Sequence, residues 1–140
     1  MNILVTGGAG YVGSVLLPEL VKDGHSIKCL DRFFFGDEFL SQKQFDGKIE
    51  LIKDDIRWFK PEILKNVDVV MDLAALSNDP VGALEPEKTY QINHLGRARV
   101  AKLSKEMGVK QYILASSASV YGQQKDAVDE KSIVNPITDY

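Results

Sequence analysis

Seven residues near the start of the chain have the composition of a phosphate-binding turn. The segment Gly7-Gly8-Ala9-Gly10-Tyr11-Val12-Gly13 matches G-x-G-x-x-G when it is read from Gly8, and G-x-x-G-x-x-G when it is read from Gly7. Because glycines leave the backbone open, a diphosphate can approach the main-chain N–H groups and the positive end of the following helix. Gly13 is expected to let that helix pack closely on the strand. The segment therefore predicts a binding site for the diphosphate of a dinucleotide.

A carboxylate and an arginine at the end of the second predicted strand refine this prediction. Asp31 stands 18 residues after Gly13, where a carboxylate can accept hydrogen bonds from both hydroxyls of an adenosine ribose. Its charge would repel a 2′-phosphate, so NAD is favoured over NADP as the cofactor. Arg32 acts against this preference, because a guanidinium could pair with such a phosphate. An ordinary turn carboxylate is the alternative interpretation of Asp31.

Other nucleotide-binding classes fit the glycine turn less well. Gly8 and Gly13 have the spacing of a P-loop, but Ser14 stands where the P-loop lysine is needed, which disfavours a kinase or a GTPase. A methyltransferase also combines a glycine turn with an acidic residue after the second strand, yet nothing else in the sequence points to a methyl donor. A domain whose glycines serve only packing is a further alternative.

The elements that would position these residues are short apolar runs that alternate with helical patterns. Strands are predicted for residues 3–5, 27–30, 49–52, 68–71 and 111–115, and helices for residues 11–22, 61–65 and from about Pro86 to Gly108. The strands are apolar on both faces, which is typical of a parallel sheet covered by helices on both sides. The predicted fold class is α/β with a doubly wound parallel sheet.

Three consecutive phenylalanines follow the second predicted strand, directly after Asp31 and Arg32: Phe33, Phe34 and Phe35. Three adjacent aromatic side chains could cover a flat ligand or a partner surface, or they could pack the following loop onto the sheet. Packing of the loop is the favoured interpretation.

The composition excludes several functions. The chain has 140 residues, of which 44% are hydrophobic, so we expect one domain, residues 1–140, that needs no disulfide or structural metal. With a single cysteine, Cys29, and two histidines that are far apart from each other, no metal site is predicted. The net charge of -3 argues against a nucleic-acid partner. The single cysteine is consistent with the reducing cytosol, and we expect a cytoplasmic protein. Because no apolar run has the length of a membrane span and Met1 leads directly into a strand-like run, we also expect the chain to begin at its natural start.

The order of the motifs matches that of a known family. From the glycine turn to its last residue, the chain resembles the extended short-chain dehydrogenase/reductase family, which includes the NAD-dependent epimerases and dehydratases of nucleotide sugars. The resemblance implies a Rossmann NAD-binding fold that is truncated after the fifth strand, without the substrate lobe. It also implies NAD as the cofactor, a nucleotide sugar as the substrate and a homodimer for the parent enzyme.

The resemblance assigns cofactor contacts along the chain. The segment Asp54-Asp55-Ile56-Arg57 is similar to the adenine-side segment of the family, with Asp55 and Ile56 as the contacting residues. The segment Leu73-Ala74-Ala75 is similar to the strand-four segment that lines the dinucleotide. Asn93 matches an asparagine that steadies the nicotinamide half. These residues are therefore expected to bind NAD.

Two polar residues, Asp72 and Ser77, flank the strand-four segment. Asp72 departs from the family pattern, in which a histidine is commoner before the two alanines, and a buried acid at this position needs a hydrogen-bonding partner. Ser77 lies where the family begins to contact its sugar, and capping a helix or a turn is an equally good interpretation of it.

The resemblance also implies the catalytic residues. The segment Ser116-Ser117-Ala118-Ser119-Val120-Tyr121-Gly122 is similar to the strand-five signature, in which the serine four residues before the tyrosine is catalytic; here that is Ser117. Tyr140 stands where the tyrosine of the family's Y-x-x-x-K motif is expected, and the lysine position lies beyond residue 140. In the family, Ser117 would hydrogen-bond the reacting sugar oxygen and Tyr140 would be the base.

The implied activity is open between epimerase, dehydratase and simple dehydrogenase, because the residues that separate them lie beyond Tyr140. The 140 residues are expected to be the amino-terminal part of a longer enzyme and to be inactive alone. Tyr140 as a loop residue with a coincidental match is the alternative at that position. At the level of function, the alternative is a non-catalytic dinucleotide-binding or sensing module.

Overall fold

Five parallel strands form the centre of the molecule in a computed structural model, which describes residues 1–40 and 42–140. The strands are β1 (Asn2–Thr6), β2 (Ser26–Asp31), β3 (Ile49–Lys53), β4 (Val69–Asp72) and β5 (Gln111–Leu114). Their order is β3-β2-β1-β4-β5, and each neighbouring pair is parallel. The chain therefore builds the sheet outward from β1 in both directions. The predicted α/β class with a doubly wound, Rossmann-like sheet is confirmed.

The connection from β1 to β2 is the helix α1 (Tyr11–Lys22), as the sequence predicts. It ends before Gly24, whose φ of +83° is the left-handed conformation that commonly follows a helix. Between β3 and β4 the chain forms only a 3-10 turn, Pro61–Leu64, in place of the short helix predicted for residues 61–65.

The connection from β4 to β5 is more elaborate than the single helix that the sequence predicts. It contains α2 (Asp79–Leu84), α3 (Pro86–Tyr90), a π-helical segment (Gln91–Gly96) and α4 (Arg97–Glu106). The prediction missed α2, which is capped by Asn78. A new helix, α3, begins at Pro86, because a proline is accommodated at the start of a helix and not inside it. It also missed the π-helical segment, a type of distortion that is frequent at functional sites.

Both faces of the sheet are covered, because successive side chains of a strand point to opposite faces. The face under α1 has an apolar cluster that includes Ile3, Val5, Leu17, Leu20, Ile27 and Cys29. The face under α4 has a second cluster that includes Leu4, Leu30, Phe59, Leu64, Val70 and Val100. Each fully buried aliphatic side chain contributes about 1.5–3 kcal/mol relative to exposure. The two clusters fix the carboxyl ends of β1, β2 and β4 at one edge of the sheet.

The strand β5 is an edge strand of the sheet, next to β4, and its side chains are less covered than those of the central strands. Ile113 and Leu114 are 40% and 50% exposed. None of the helices within the described ranges, 1–40 and 42–140, is long and apolar enough to cross a membrane.

Candidate functional site

The glycine turn joins β1 to α1 at the carboxyl edge of the sheet. Gly7 has a φ of +67°, and a Cβ at this residue would lie 2.8 Å from the main chain of Ala74. A glycine is therefore needed both for the backbone conformation and for the close approach of the loop after β4. A Cβ on Gly13 would lie 2.1 Å from the carbonyl oxygen of Gly8. The close packing expected of Gly13 is thus made against the turn itself.

Gly10 has a different environment from these two glycines. Its φ of −84° suits any residue, and the nearest atom to a Cβ placed there is the carbonyl oxygen of Gly7, at 3.3 Å. A Cβ at this position therefore makes one tight contact with the main chain and meets no other described neighbour within 4 Å. The space beside Gly10 is the kind of opening through which a diphosphate approaches a backbone, and a side chain would fill it.

The amino terminus of α1 presents unpaired N–H groups next to this space. No side chain caps the helix, and its first turn holds no acidic residue. The N–H of Ser14 is bonded to the carbonyl of Gly10 at 2.9 Å, whereas those of Tyr11, Val12 and Gly13 have no acceptor in the described part of the chain. Unpaired N–H groups and the positive end of a helix dipole attract anions. The turn is therefore chemically suited to a diphosphate.

Asp31, the last residue of β2, connects this turn to the loop that follows the strand. Its Oδ2 accepts the N–H of Ala9 at 2.9 Å, and its Oδ1 accepts the N–H of Phe33 at 2.8 Å. Because each carboxylate oxygen has two lone pairs, both can still accept a ribose hydroxyl. The structure thus adds a local structural role to the predicted binding role. Phe33 has a φ of +54°, which is rare for a bulky residue, and its bond to Asp31 supports that conformation.

Arg32 and Asp55 form an ion pair across the ends of β2 and β3. Arg32 Nη1 donates to Asp55 Oδ2 at 3.0 Å, and Arg57 donates to Asp55 through Nε at 2.9 Å and Nη2 at 2.7 Å. Burial alone would raise the pKa of Asp55, but the hydrogen bonds and charge of Arg57, together with the charge of Arg32, lower it. Asp55 is therefore an ionised carboxylate held by two arginines. Its predicted contact with adenine stays a prediction.

Aromatic side chains accompany the two arginines. The Arg32 guanidinium lies 5.3 Å from the centre of the Phe34 ring, and that of Arg57 lies 4.1 Å from the Trp58 ring. Phe34 and Phe35 are 75% and 87% exposed, whereas Phe33 packs against the core. The favoured prediction, that these phenylalanines pack the loop onto the sheet, is therefore right for the first and wrong for the other two.

Ile56 follows Asp55 and is buried. A Cβ on Gly96 would lie 2.9 Å from Ile56 Cδ1, so the isoleucine packs directly beneath the π-helical segment. Its side chain belongs to the core, and only its main chain is suited to the predicted cofactor contact.

The loop after β4 is held from two sides. Thr6, at the end of β1, accepts the N–H of Leu73 at its carbonyl (3.1 Å) and that of Ala74 at its hydroxyl (3.2 Å). The side-chain amide of Asn93, in the π-helical segment, bonds both the N–H and the carbonyl of Leu76, at 2.8 and 3.0 Å. Asn93 therefore shapes this loop, which includes Ala75. Its predicted action on nicotinamide stays a prediction.

Asp72 is completely buried at the end of β4. The Thr6 hydroxyl donates to its Oδ1, the Tyr112 hydroxyl donates to its Oδ2 at 2.5 Å, and Arg97 Nε lies 3.6 Å from the same Oδ2. The prediction that a buried acid here needs a partner is confirmed. Burial raises the pKa of Tyr112, and the bond to Asp72 adds to this effect.

Arg97, the first residue of α4, joins the ends of two strands. Its Nη2 donates to the main-chain carbonyls of Asp72, at 3.0 Å, and Ala115, at 2.5 Å. Ala115 stands two residues before Ser117, so the arginine fixes the start of the segment that carries this serine. Arg97 was not predicted from the sequence as a residue of the site. The available signal was the acid inside a predicted buried strand, which requires a basic or hydrogen-bonding partner.

Ser117 and Tyr140 lie in different parts of the carboxyl-terminal region. Ser117 is half-buried, and its Oγ accepts the N–H of Ser119 at 3.1 Å at the start of the 3-10 turn Ala118–Tyr121. Tyr140 is also half-buried, and its main-chain nitrogen lies 4.0 Å from the Cβ position of Gly82 in α2. No hydrogen bond joins the two predicted catalytic residues in the described ranges. Their roles stay predictions.

Ser77 is exposed in the segment that leads into α2. The residue that caps this helix is Asn78, whose Oδ1 accepts the N–H of Val81 at 3.3 Å. The interpretation of Ser77 as a helix cap is therefore wrong. No hydrogen bond involves its hydroxyl within residues 1–40 and 42–140, which leaves the hydroxyl available to a ligand.

Two other kinds of chemistry have little support. Cys29 is fully buried, and burial, with the charge of Asp31, raises the pKa of its thiol to about 12, so it is not a nucleophile at neutral pH. Among the residues that the structure describes, no three His, Cys, Asp or Glu side chains are arranged to hold a metal ion.

Sequence comparisons match the chain to a known protein family. The profile of the NAD dependent epimerase/dehydratase family matches residues 3–140. The chain is 34% identical to the UDP-glucose 4-epimerase of Lactobacillus helveticus, over 100% of the chain and 43% of that protein. It is also 34% identical to UDP-glucuronic acid decarboxylase 1 of Danio rerio, over 97% of the chain and 32% of that protein. The chain thus spans less than half the length of these curated relatives.

Solved structures show the same fold. A UDP-glucose-4-epimerase from Stenotrophomonas maltophila, with bound NAD and formylated UDP-arabinopyranose, matches with a TM-score of 0.91 at 28% identity, over 100% of this chain and 44% of that one. A UDP-N-acetylglucosamine 4-epimerase from Methanobrevibacter ruminantium, in complex with UDP-N-acetylmuramic acid, also has a TM-score of 0.91, at 30% identity, over 99% of this chain and 45% of that one.

Proposed function

Because the chain belongs to the NAD-dependent epimerase/dehydratase family, we propose that it is the NAD-binding part of a nucleotide-sugar epimerase or dehydratase. The observation that supports this most strongly is the set of unpaired N–H groups of Tyr11 and Val12 beside Gly10, which has no side chain to cover them. A relative with the same fold holds NAD and a UDP sugar together. The parent enzyme is proposed to be a homodimer.

Each part of the dinucleotide has candidate partners in this chain. The glycine turn would hold the diphosphate, and Asp31 would accept the hydroxyls of the adenosine ribose. Asp55 and the main chain of Ile56 would lie on the adenine side. The loop of residues 73–75, whose position Thr6 and Asn93 fix, would line the nicotinamide half.

When bound, NAD supplies the chemistry of accepting a hydride from a sugar carbon and returning it. In our proposal the Ser117 hydroxyl donates a hydrogen bond to the reacting oxygen of the sugar, and Tyr140 removes the proton from that sugar hydroxyl. A phenol with an ordinary pKa of ~10 needs nearby positive charge for this role at neutral pH. The free hydroxyl of Ser77 is proposed to contact the sugar.

Titration with NAD tests the cofactor site. We expect Gly10→Ala to raise the Kd for NAD about tenfold or more, corresponding to about 1.4 kcal/mol, because the new methyl group occupies the space used by the diphosphate. The matched control is Gly82→Ala, since a Cβ at Gly82 meets only ordinary contacts at 3.7 Å or more. Calorimetric titration of both variants gives the comparison. Equal Kd values for Gly10→Ala and Gly82→Ala would contradict the proposed site.

Turnover tests the catalytic roles. In the full-length protein that contains this chain, we expect Tyr140→Phe and Ser117→Ala to lower kcat for UDP sugars by about 10²- to 10⁴-fold, with the Kd for NAD unchanged. Tyr90→Phe, at a tyrosine that is 52% exposed in α3, is the control. An unchanged kcat in Tyr140→Phe would show that this tyrosine is a loop residue.

A further inference from the structure

Arg32 is the residue of this chain best suited to hold a phosphate on the adenosine ribose, but the structure shows it engaged elsewhere. It directly follows Asp31, the proposed ribose ligand. Its guanidinium donates to Asp55 at 3.0 Å and lies over the Phe34 ring. The Arg32 side chain is 44% exposed, so this arrangement is open to solvent and to ligands.

Asp55 does not depend on Arg32 for its own hydrogen bonds. Arg57 donates to Oδ1 through its main-chain N–H, at 3.0 Å, and through Nε, and it donates to Oδ2 through Nη2. The Arg57 side chain is only 17% exposed, and its two side-chain hydrogen bonds to the Asp55 carboxylate form a fork-like geometry. Arg32 shares only Oδ2 and is therefore the more weakly held of the two partners.

A 2′-phosphate would be recognised by an arginine in this position. NADP differs from NAD by a phosphate on the ribose hydroxyl, and a guanidinium binds phosphate oxygens through two parallel hydrogen bonds. Asp31 repels that phosphate whichever way Arg32 is oriented. Whether the chain discriminates strongly against NADP then depends on whether Arg32 is free to compensate for Asp31.

We propose that Asp55 strengthens the preference for NAD over NADP by holding Arg32 away from the ribose 2′ position. Asp55 is in this respect a positioning residue that acts through Arg32. The inference rests on the proposed function, because it requires that the ribose lies at Asp31. It goes beyond that function by assigning cofactor specificity to an ion pair between the loops after β2 and β3.

The ratio of the Kd for NADP to the Kd for NAD measures this effect in the 140-residue chain by calorimetric titration. In Asp55→Asn, which keeps the shape but removes the charge, we expect this ratio to fall about tenfold or more. Any change in a shared adenine contact alters both Kd values equally and leaves the ratio unchanged. In the double variant Asp55→Asn/Arg32→Gln this ratio should stay close to that of the unaltered chain, because the released guanidinium is absent. A ratio that also falls in the double variant, or that does not fall in Asp55→Asn, would overturn the proposal.

A second variant tests the proposal without altering Asp55. Since Arg32 is already held by Asp55, Arg32→Gln alone should leave the Kd for NADP within about twofold of that of the unaltered chain. A tenfold weaker binding of NADP in Arg32→Gln would show that Arg32 already serves the phosphate, which contradicts the proposal. If the unaltered chain binds NAD but Asp55→Asn leaves the ratio unchanged, this inference alone fails. If the unaltered chain binds no NAD, the proposed function fails and this inference fails with it.

Discussion

Asp72 and Asp55 both lie at the carboxyl edge of the sheet and both pair with arginine, yet their surroundings differ. The Asp72 side chain is 0% exposed and its partner Arg97 is 14% exposed, whereas the Asp55 side chain is 6% exposed and its partner Arg32 is 44% exposed. The first pair is enclosed between strands, and the second borders solvent. The Asp72–Arg97 pair therefore has a structural role, whereas Arg32 can exchange its contact with Asp55 for water or a ligand.

The difference has an energetic basis. Removing one partner of a buried ion pair leaves an uncompensated charge in the interior and costs about 3–5 kcal/mol. An ion pair with an exposed partner is screened by water and contributes about 0–1 kcal/mol. Loss of the enclosed pair should therefore unfold the protein before it alters specificity, whereas release of Arg32 from the exposed pair should cost little stability.

The largest effect is expected for Arg97→Met. This change leaves the Asp72 carboxylate buried without its cation and removes both carbonyl contacts of the arginine, so the free energy of unfolding should fall by about 3–5 kcal/mol. Urea unfolding followed by circular dichroism measures it. The double variant Asp72→Asn/Arg97→Met, which removes the charge as well, should recover a substantial part of the loss. If the free energy of unfolding of Arg97→Met fell by no more than about 1 kcal/mol, the loss typical of an exposed pair, the distinction between the two regions would disappear.

An intermediate effect is expected at alkaline pH. Because the pKa of Tyr112 is raised in the folded state, the stability that its proton provides is intact below the ordinary tyrosine pKa of ~10 and is lost as the pH rises above it. Cys29 adds a similar loss between its ordinary pKa of 9.0 and about 12. In Tyr112→Phe the decline above pH 10 should be shallower, by up to about 1.4 kcal/mol per pH unit. Urea unfolding at stepped pH gives these slopes, and identical slopes would contradict the hydrogen bond between Tyr112 and Asp72.

The smallest effect is expected for Arg32→Gln. The exposed partner of Asp55 should contribute no more than about 1 kcal/mol to the free energy of unfolding, because Arg57 still holds the carboxylate. The same urea titration is repeated at about 0.1 M and about 1 M salt. The difference in the free energy of unfolding between Arg32→Gln and the parent chain should be smaller at the higher salt concentration. A loss as large as that of Arg97→Met would mean that the outer pair is structural too.

The sequence predicted the parts of the molecule that depend on local pattern. Five apolar runs indicated the parallel sheet, and the glycine spacing indicated the turn before α1, because strand periodicity and backbone freedom are written in neighbouring residues. The acid at Asp72 even indicated that a partner must exist. Its identity was not predictable, since Arg97 lies 25 residues later and the contact depends on how α4 packs across the sheet.

Other features of the site were missed for the same reason. The pair Arg32–Asp55 spans 23 residues and forms only where the ends of β2 and β3 come together. The two bonds from Asn93 to Leu76 depend on the π-helical segment, which follows from no periodic pattern in the sequence. Long-range side-chain pairs were therefore the principal part of the site that required the structure.

The central claim is that unpaired main-chain N–H groups at the start of α1 hold the diphosphate of NAD. Two-dimensional ¹H–¹⁵N NMR spectra of the labelled 140-residue chain, recorded during a titration with NAD, test this claim most directly. We predict that the largest amide shifts belong to Tyr11, Val12 and Gly13, whose N–H groups have no acceptor in the described part of the chain. Amide signals of this turn that stay unmoved while NAD binds elsewhere, or that show no response at saturating NAD, would contradict it.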